Sequence, residues 1–264
     1  MQMFSKFINK ALYILLATII SVACSAGLEE PLHYGELSVS LSGEPEVEVL
    51  SRASVALDPA ATEAAGYMVY IYNSSDEEQY RSSYAGFEAQ RLPLGTYYVT
   101  AENCTLADAE SGNGKMRLYG RSNDITLSLD NLAQTAEVNC TVANAKVCVQ
   151  FDESVKDRFT DLKVILTGGT TSGRMLTIPE TATGVVTETW FNPSELTYSI
   201  SGTFIAGGLN KDVNIVRTIE LQARNNIKLV VKVNVDNGQL MPQLNIDTQI
   251  DDTKEVSGEF NPYK

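Results

Sequence analysis

Residues 226–235 read NIKLVVKVNV. Ile227, Leu229, Val231, Val233 and Val235 occupy alternate positions, with Lys228 and Lys232 between them. A period of two sends successive side chains to opposite faces of a pleated strand, so this decamer has one apolar and one wet face. An amphipathic helix would repeat its apolar residues every three or four positions instead. Val and Ile are also stiff at Cβ, which suits a strand better than a helix.

Working outward, the same period recurs along the chain. In GELSVSLS (35–42), Leu37, Val39 and Leu41 alternate with polar residues. In YMVYIYN (67–73), Met68, Tyr70 and Tyr72 share one face, with Tyr67, Val69 and Ile71 on the other. GTYYVTAE (95–102), NDITLSL (123–129) and TAEVNCTVA (135–143) continue a first set. AKVCVQF (145–151), DLKVILTGG (161–169), LTYSISGTFI (196–205) and VRTIELQA (216–223) lead into the opening decamer as a second set. Turn signals separate them: RLPLG at 91–95, SGNG at 111–114, Gly168-Gly169, Asn192-Pro193, Gly207-Gly208 and Asp236-Asn237-Gly238. ESVKDRFTD (153–161) reads as one or two helical turns, and PAATEAAG (59–66) as one short helix at most. Many short strands with polar turns predict an all-β protein of tandem antiparallel β-sandwiches. The first sandwich is expected over 35–143 and the second, with a C-terminal tail, over 144–264. One apolar strand ends and the next begins near Ala143–Ala145, with no long linker between them.

The N-terminus carries an address. MQMFSKFINK has two lysines and no acid, and ALYILLATIISVA follows as a run of apolar and small residues. That pattern is a secretory signal over 1–23, too short for a transmembrane helix, which needs about 20 apolar residues. Cys24 follows small Ala23 directly, in SVACSAGLEE. A Cys in this place resembles the lipobox of bacterial lipoproteins, in which the thiol takes a diacylglyceryl group and cleavage makes the Cys the new N-terminus. The usual Leu three positions before the Cys is Ser21 here. Residues 24–34 are then expected to form a tether, with Cys24 as the expected lipidation site; Ser21-Val22-Ala23 also satisfies the small-x-small rule of ordinary signal peptidase, so simple secretion is the alternative.

Charge and composition narrow the partners. The chain of 264 residues has 33 acidic and 20 basic residues. Removal of residues 1–23 leaves 33 acidic against 18 basic, a net charge of −15. Nucleic-acid binding needs Lys and Arg to displace counterions from phosphate, so no nucleic-acid partner is expected. The only histidine is His33, in the tether, and no GxSxG elbow occurs, so no base and nucleophile pair can be named. Carboxylates near one another, such as Glu153 with Asp157 or Glu188 beside Trp190, are what an acidic surface makes by chance. No catalytic residue, metal site or cofactor is therefore expected. Asp247, Asp251 and Asp252 lack EF-hand spacing. Cys104, Cys140 and Cys148 match no zinc pattern, and an odd number cannot all pair; a disulfide between two of them is left open. Trp190, in ETWFNPSEL beside a turn, is the candidate glycan contact, with Tyr80, Tyr84 and Tyr119 as a second set. Packing in a core or on a sheet face is the competing reading for all four.

Several stretches together resemble a known family. GELSVSLSGEPEVEV, SRAS, RLPLGTYYVTAE, RLYGRSNDITLSL, NCTVANAKVCVQFDESVKDRFTDLKVILTGG and LNIDTQIDD occur in the order seen in Bacteroidetes-type lipoproteins of domain-of-unknown-function family 4493. The resemblance implies Ig-like or transthyretin-like β-sandwich domains, an outer-membrane or cell-surface lipoprotein, and kinship with fimbrillin-like adhesins. It carries over Cys24 as the lipid-attachment position and no catalytic residue. The expected function is a non-enzymatic adhesion or structural module, with other envelope proteins or glycans as partners. Two alternatives stand beside it. One is a fimbrial-type subunit that assembles by strand addition, for which Arg52-Ala53 resembles the Arg-specific cleavage context of some fimbrillins. The other is a glycan-binding surface protein.

Overall fold

Where the sequence alternates, the chain is extended. A computed structural model describes residues 33–43, 55–56, 66–171, 173–205, 210–233, 243–247 and 253–257. The first half contains β1 (Tyr34–Gly43), β2 (Val55–Ala56), β3 (Met68–Asn73), β4 (Glu78–Ser83), β5 (Gln90–Pro93), β6 (Gly95–Glu102), β7 (Leu118–Arg121), β8 (Ile125–Leu127) and β9 (Ala133–Val142). They pair in the order β2-β1-β9-β7-β6-β3-β4, with β5 on β1 and β8 on β6. The long strand β9 serves both sides. Its first residues run beside β1, and its last two, Thr141 and Val142, pair with β7. Leu37 and Leu41 from β1, Val69 and Ile71 from β3, Val99 and Ala101 from β6, and Val138 and Cys140 from β9 then close one core.

The second half contains β10 (Ala145–Phe151), β11 (Phe159–Thr167), β12 (Met175–Pro179), β13 (Val186–Phe191), β14 (Glu195–Phe204), β15 (Lys211–Glu220), β16 (Asn226–Val231), β17 (Gln243–Asp247) and β18 (Thr253–Ser257). They form two sheets, β13-β10-β16-β17-β18 and β12-β11-β14-β15. Val147, Val149, Ile227 and Leu229 from the first meet Val164, Leu166, Leu196 and Ile200 from the second in one core. The decamer that began the reading is the middle of a sheet. Ile227, Leu229 and Val231 are buried while Lys228 is exposed, and the strand lies between β10 and β17. Val235 lies outside the described residues. One core thus draws on residues 37–142 and the other on 145–233.

The structure is all-β, as the alternation predicts, but two pairings run parallel, β1 with β9 and β10 with β16. A parallel pair needs a long crossover. The intervening strands β2–β8 and β11–β15 supply it in each half. Alternation is blind to strand direction, so the sequence does not reveal this. Of the segment 153–161 only Glu153–Val155 forms a 3-10 turn, and Asp152 caps it by accepting from the Ser154 N–H at 2.9 Å. Phe159 onward is already strand. A short helix, Leu106–Ala109, stands where the alternation gave no signal, begun by the Thr105 hydroxyl accepting from the Asp108 N–H at 3.1 Å. Residues 59–65 of the Ala-rich stretch lie outside the described residues. Cys104, Cys140 and Cys148 are buried free thiols. Burial pushes the Cys140 thiol up to about 12, so it stays protonated and inert in neutral water. Among the described residues no helix is long and apolar enough to cross a membrane.

Candidate functional site

Alternation that buries Val69, Ile71, Val99 and Ala101 must turn their neighbours the other way. On that outer face, β3 presents Tyr70 and Tyr72, β6 presents Tyr98, Thr100 and Glu102, and β7 presents Tyr119 and Arg121. Strand register brings them together. Tyr72 stands opposite Tyr98, Tyr70 opposite Thr100, Thr100 opposite Arg121, and Glu102 opposite Tyr119. The rings of Tyr72 and Tyr98 stack with centroids 5.1 Å apart and planes 18° apart. Tyr70 continues the row, 6.4 Å from Tyr72 and inclined by 22°. Arg121 closes the other end with its guanidinium 4.0 Å from the Tyr98 centroid, and Arg117 lies 4.7 Å from that of Tyr119. With the short helix as one wall, these side chains line an open trough of about 650 Å³.

The charges in the trough are internally matched. Arg117 Nη2 donates to Glu102 Oε2 at 2.7 Å, and Arg117 Nε donates to the same oxygen at 3.2 Å. Both side chains are nearly buried, 11% and 14% exposed. Arg121 pairs with Asp124 at 3.0 Å on the exposed rim. The Tyr98 hydroxyl donates to Asp76 at 2.9 Å. Burial, then the nearby Glu102, raises the Tyr70 phenol above its ordinary value, and burial, then Glu78, does the same to Tyr72. The phenols therefore remain protonated in neutral water, able to donate and to accept. The arrangement can stack on flat apolar surfaces and hydrogen-bond hydroxyls.

A second polar cluster joins the two halves. Glu110, only 5% exposed, accepts from the N–H groups of Thr170 at 2.9 Å, Thr171 at 2.8 Å and Asn192 at 3.1 Å, and from the hydroxyls of Thr170 and Thr171 at 3.2 and 2.6 Å. Burial alone would raise its pKa, but the bonds from Thr171, Thr170 and Asn192 outweigh it and hold the carboxyl below its ordinary range. Arg174 donates to the carbonyls of Trp190 at 2.7 Å and Gly112 at 3.2 Å, and Asn192 Nδ2 donates to that of Leu106 at 3.3 Å. Two glycines make the approach close enough. A Cβ on Gly114, which has φ +81°, would lie 2.5 Å from the Trp190 carbonyl oxygen, and one on Gly169, at φ +89°, would meet Glu110 Oε1.

The residues singled out from sequence separate here. Trp190 is half-buried. It lies on β13 in the second half, yet packs against the core of the first, and its backbone N–H donates to the Asn113 carbonyl at 2.8 Å. Its strand belongs to the β13-β10-β16-β17-β18 sheet, apart from the β3, β6 and β7 strands that carry the tyrosine row. Tyr84 is buried, and its hydroxyl oxygen accepts from the Leu41 N–H at 3.2 Å. Tyr80 packs edge-on against Phe87, with centroids 5.9 Å apart. Of the second set, only Tyr119 reaches the trough. Cys24 and Arg52 lie outside the described residues. Among the described residues no three His, Cys, Asp or Glu side chains are grouped to hold a metal ion. Sequence reasoning missed Tyr98, Arg117 and Arg121 as partners of Tyr70 and Tyr72. The signal within reach was that Tyr70, Tyr72 and Tyr98 sit opposite the apolar face of their strands; the register between strands was not.

Among solved structures, the fimbrial anchor protein Mfa2 from Porphyromonas gingivalis is similar, with a TM-score of 0.48 and 12% identity over 82% of this chain and 98% of that one. A fimbrial assembly protein from Parabacteroides distasonis has a TM-score of 0.44 and 11% identity over 86% of this chain and 99% of that one. No curated protein matches the sequence. The family model described as "Domain of unknown function (DUF4493)" matches residues 33–259, and the chain belongs to that family.

Proposed function

We propose that the protein is a non-enzymatic adhesion or structural module of the cell envelope, anchored by lipid on Cys24. The observation that supports adhesion is the outward trough of Tyr70, Tyr72, Tyr98 and Tyr119, carried on a half that Glu110 and Arg174 lock to its neighbour. A preorganised face on a rigid body suits binding, because less side-chain and inter-domain freedom is lost when a partner docks. The carboxylate in the trough, Glu102, is held by Arg117, which suits a positioning role rather than proton transfer. The apolar run before Cys24 and the small Ala23 support the anchor. Full lipoprotein modification would supply more than the two membrane signals that stable anchoring takes. Replacing Cys24 with Ala tests the anchor: the protein should leave the membrane fraction, and its persistence there would overturn this reading. Whole cells carrying the wild-type protein should adhere to a host or polysaccharide surface better than cells lacking it; equal adherence would remove the adhesive role.

A second reading, assembly by strand addition, has one observation in its favour. The ten-residue β15 lies at a sheet edge, with Val216 49% exposed. Strictly monomeric protein after Arg-specific proteolysis would count against it.

A further inference from the structure

The geometry points to a neutral oligosaccharide as the ligand of the tyrosine trough, an inference that rests on the adhesion reading. Size is the first argument. About 650 Å³ is within the range of small-molecule sites and exceeds what a single sugar ring fills. Shape is the second. Tyr70, Tyr72 and Tyr98 form a row already stacked on one another, so little rotamer freedom remains to be lost on binding. Such a row offers apolar ring carbon and phenolic oxygen side by side. A pyranose has the matching pattern, with C–H groups on its flat faces and hydroxyls around its rim. The positive ring edges that a stacked row presents attract the ring and hydroxyl oxygens of a sugar, and the phenols and Arg121 reach its hydroxyls.

Charge decides among ligand classes. Each guanidinium in the trough already has a carboxylate, Arg117 with Glu102 and Arg121 with Asp124. A polyanion would have to displace those carboxylates and would meet a chain of net charge −13. A cationic ligand would compete for ring faces that Arg121 and Arg117 cover on Tyr98 and Tyr119. The backbone of β3 and β6 is paired on both sides, so an extended peptide gains no main-chain bonds here. A neutral, hydroxyl-rich ligand leaves both carboxylates in place and can engage ring edges and phenolic oxygens without displacing a guanidinium from a ring face.

The test is calorimetric titration of the full-length lipoprotein in detergent with maltohexaose, cellohexaose, laminarihexaose and mannohexaose, beside sialyllactose and hexagalacturonate. At least one neutral hexasaccharide should bind. Tyr72→Ala should weaken that binding about tenfold or more, as loss of a central contact does. Tyr72→Phe, which keeps the ring, should retain most of it. Arg121→Ala, on an exposed rim, should weaken binding several-fold with no change in unfolding temperature, so the test does not hang on one variant that might misfold by itself. No binding by any neutral hexasaccharide, binding confined to the charged ones, or unchanged binding by both Tyr72→Ala and Arg121→Ala would each overturn the assignment. If saccharide binding fails while cells bearing the protein still adhere, the ligand class falls and the adhesion reading stands. If wild-type cells also adhere no better than cells lacking the protein, the reading itself falls.

Discussion

The two halves bury their cores by the same rule and dress their outer faces in opposite ways. On the first half, the outward positions of β3, β6 and β7 hold tyrosines, arginines and Glu102, which rise from the sheet and enclose a trough. On the second, the outward positions of β14 are Thr197, Ser199, Ser201 and Thr203. Their partners across β15 are Thr218, Val216, Asn214 and Asp212. Short side chains there satisfy one another, as Thr203 does by donating to Asp212 at 2.9 Å, and leave no walls. The lesson is that core patterning and function occupy different faces of the same strand. Selection for a core leaves every second residue free to vary, and on β3, β6 and β7 those residues build relief.

That contrast can be broken at several depths. The largest effect is expected in the core, where Phe191, fully buried, should cost about 3–5 kcal/mol on replacement by Ala. A much smaller shift in the urea midpoint would mean that the second half is loosely packed. Next is the junction. Glu110→Ala leaves the N–H groups of Thr170, Thr171 and Asn192 without their acceptor and should cost about 3 kcal/mol. Calorimetry should then resolve separate unfolding of the two halves; a single unshifted transition would show that the junction does not couple them.

The same carboxylate sets a pH dependence. Its folded pKa lies below the ordinary value, so it stabilises fully above the unfolded value of about 4.3, and that contribution fades as pH falls through the folded one. Wild type should lose stability on acidification below about pH 4 more steeply than Glu110→Gln. Parallel curves for the two would refute the role given to Glu110. Smaller still, Tyr72→Ala on the outer face should cost about 1 kcal/mol or less, since it deletes one cross-strand stack and no core volume. Least of all, Ser199→Ala on the plain face should change stability by less than about 0.5 kcal/mol. If the last two variants were equally disruptive, the outer faces would not differ as described. Cys140 gives an independent check: alkylation at pH 8 should wait for denaturant, and prompt labelling would contradict its burial.

Much of the fold could be read from alternation because burial acts residue by residue along a strand. Leu37, Val69, Val99, Val147 and Leu229 all take the side that the pattern assigns them. Weakly alternating strands escaped: β4, EQYRSS, has no apolar face to announce it. The site was legible only in part. Tyr70 and Tyr72 were placed on one face, but the sequence drew attention to Trp190, which the junction takes up as packing. Packing was the competing reading for Trp190, and the core of the first half is what it packs against.

By itself, then, the amino-acid sequence determined the all-β class and the inward face of each main strand, because both follow from local alternation. Only the tertiary structure decided that β1 and β9 run parallel, that Tyr72 meets Tyr98, and that Glu110 finds its donors some sixty to eighty residues away in Thr170, Thr171 and Asn192. Register and chain crossing depend on which distant strand becomes a neighbour, and that choice is made by the packing of the whole core rather than by any one segment.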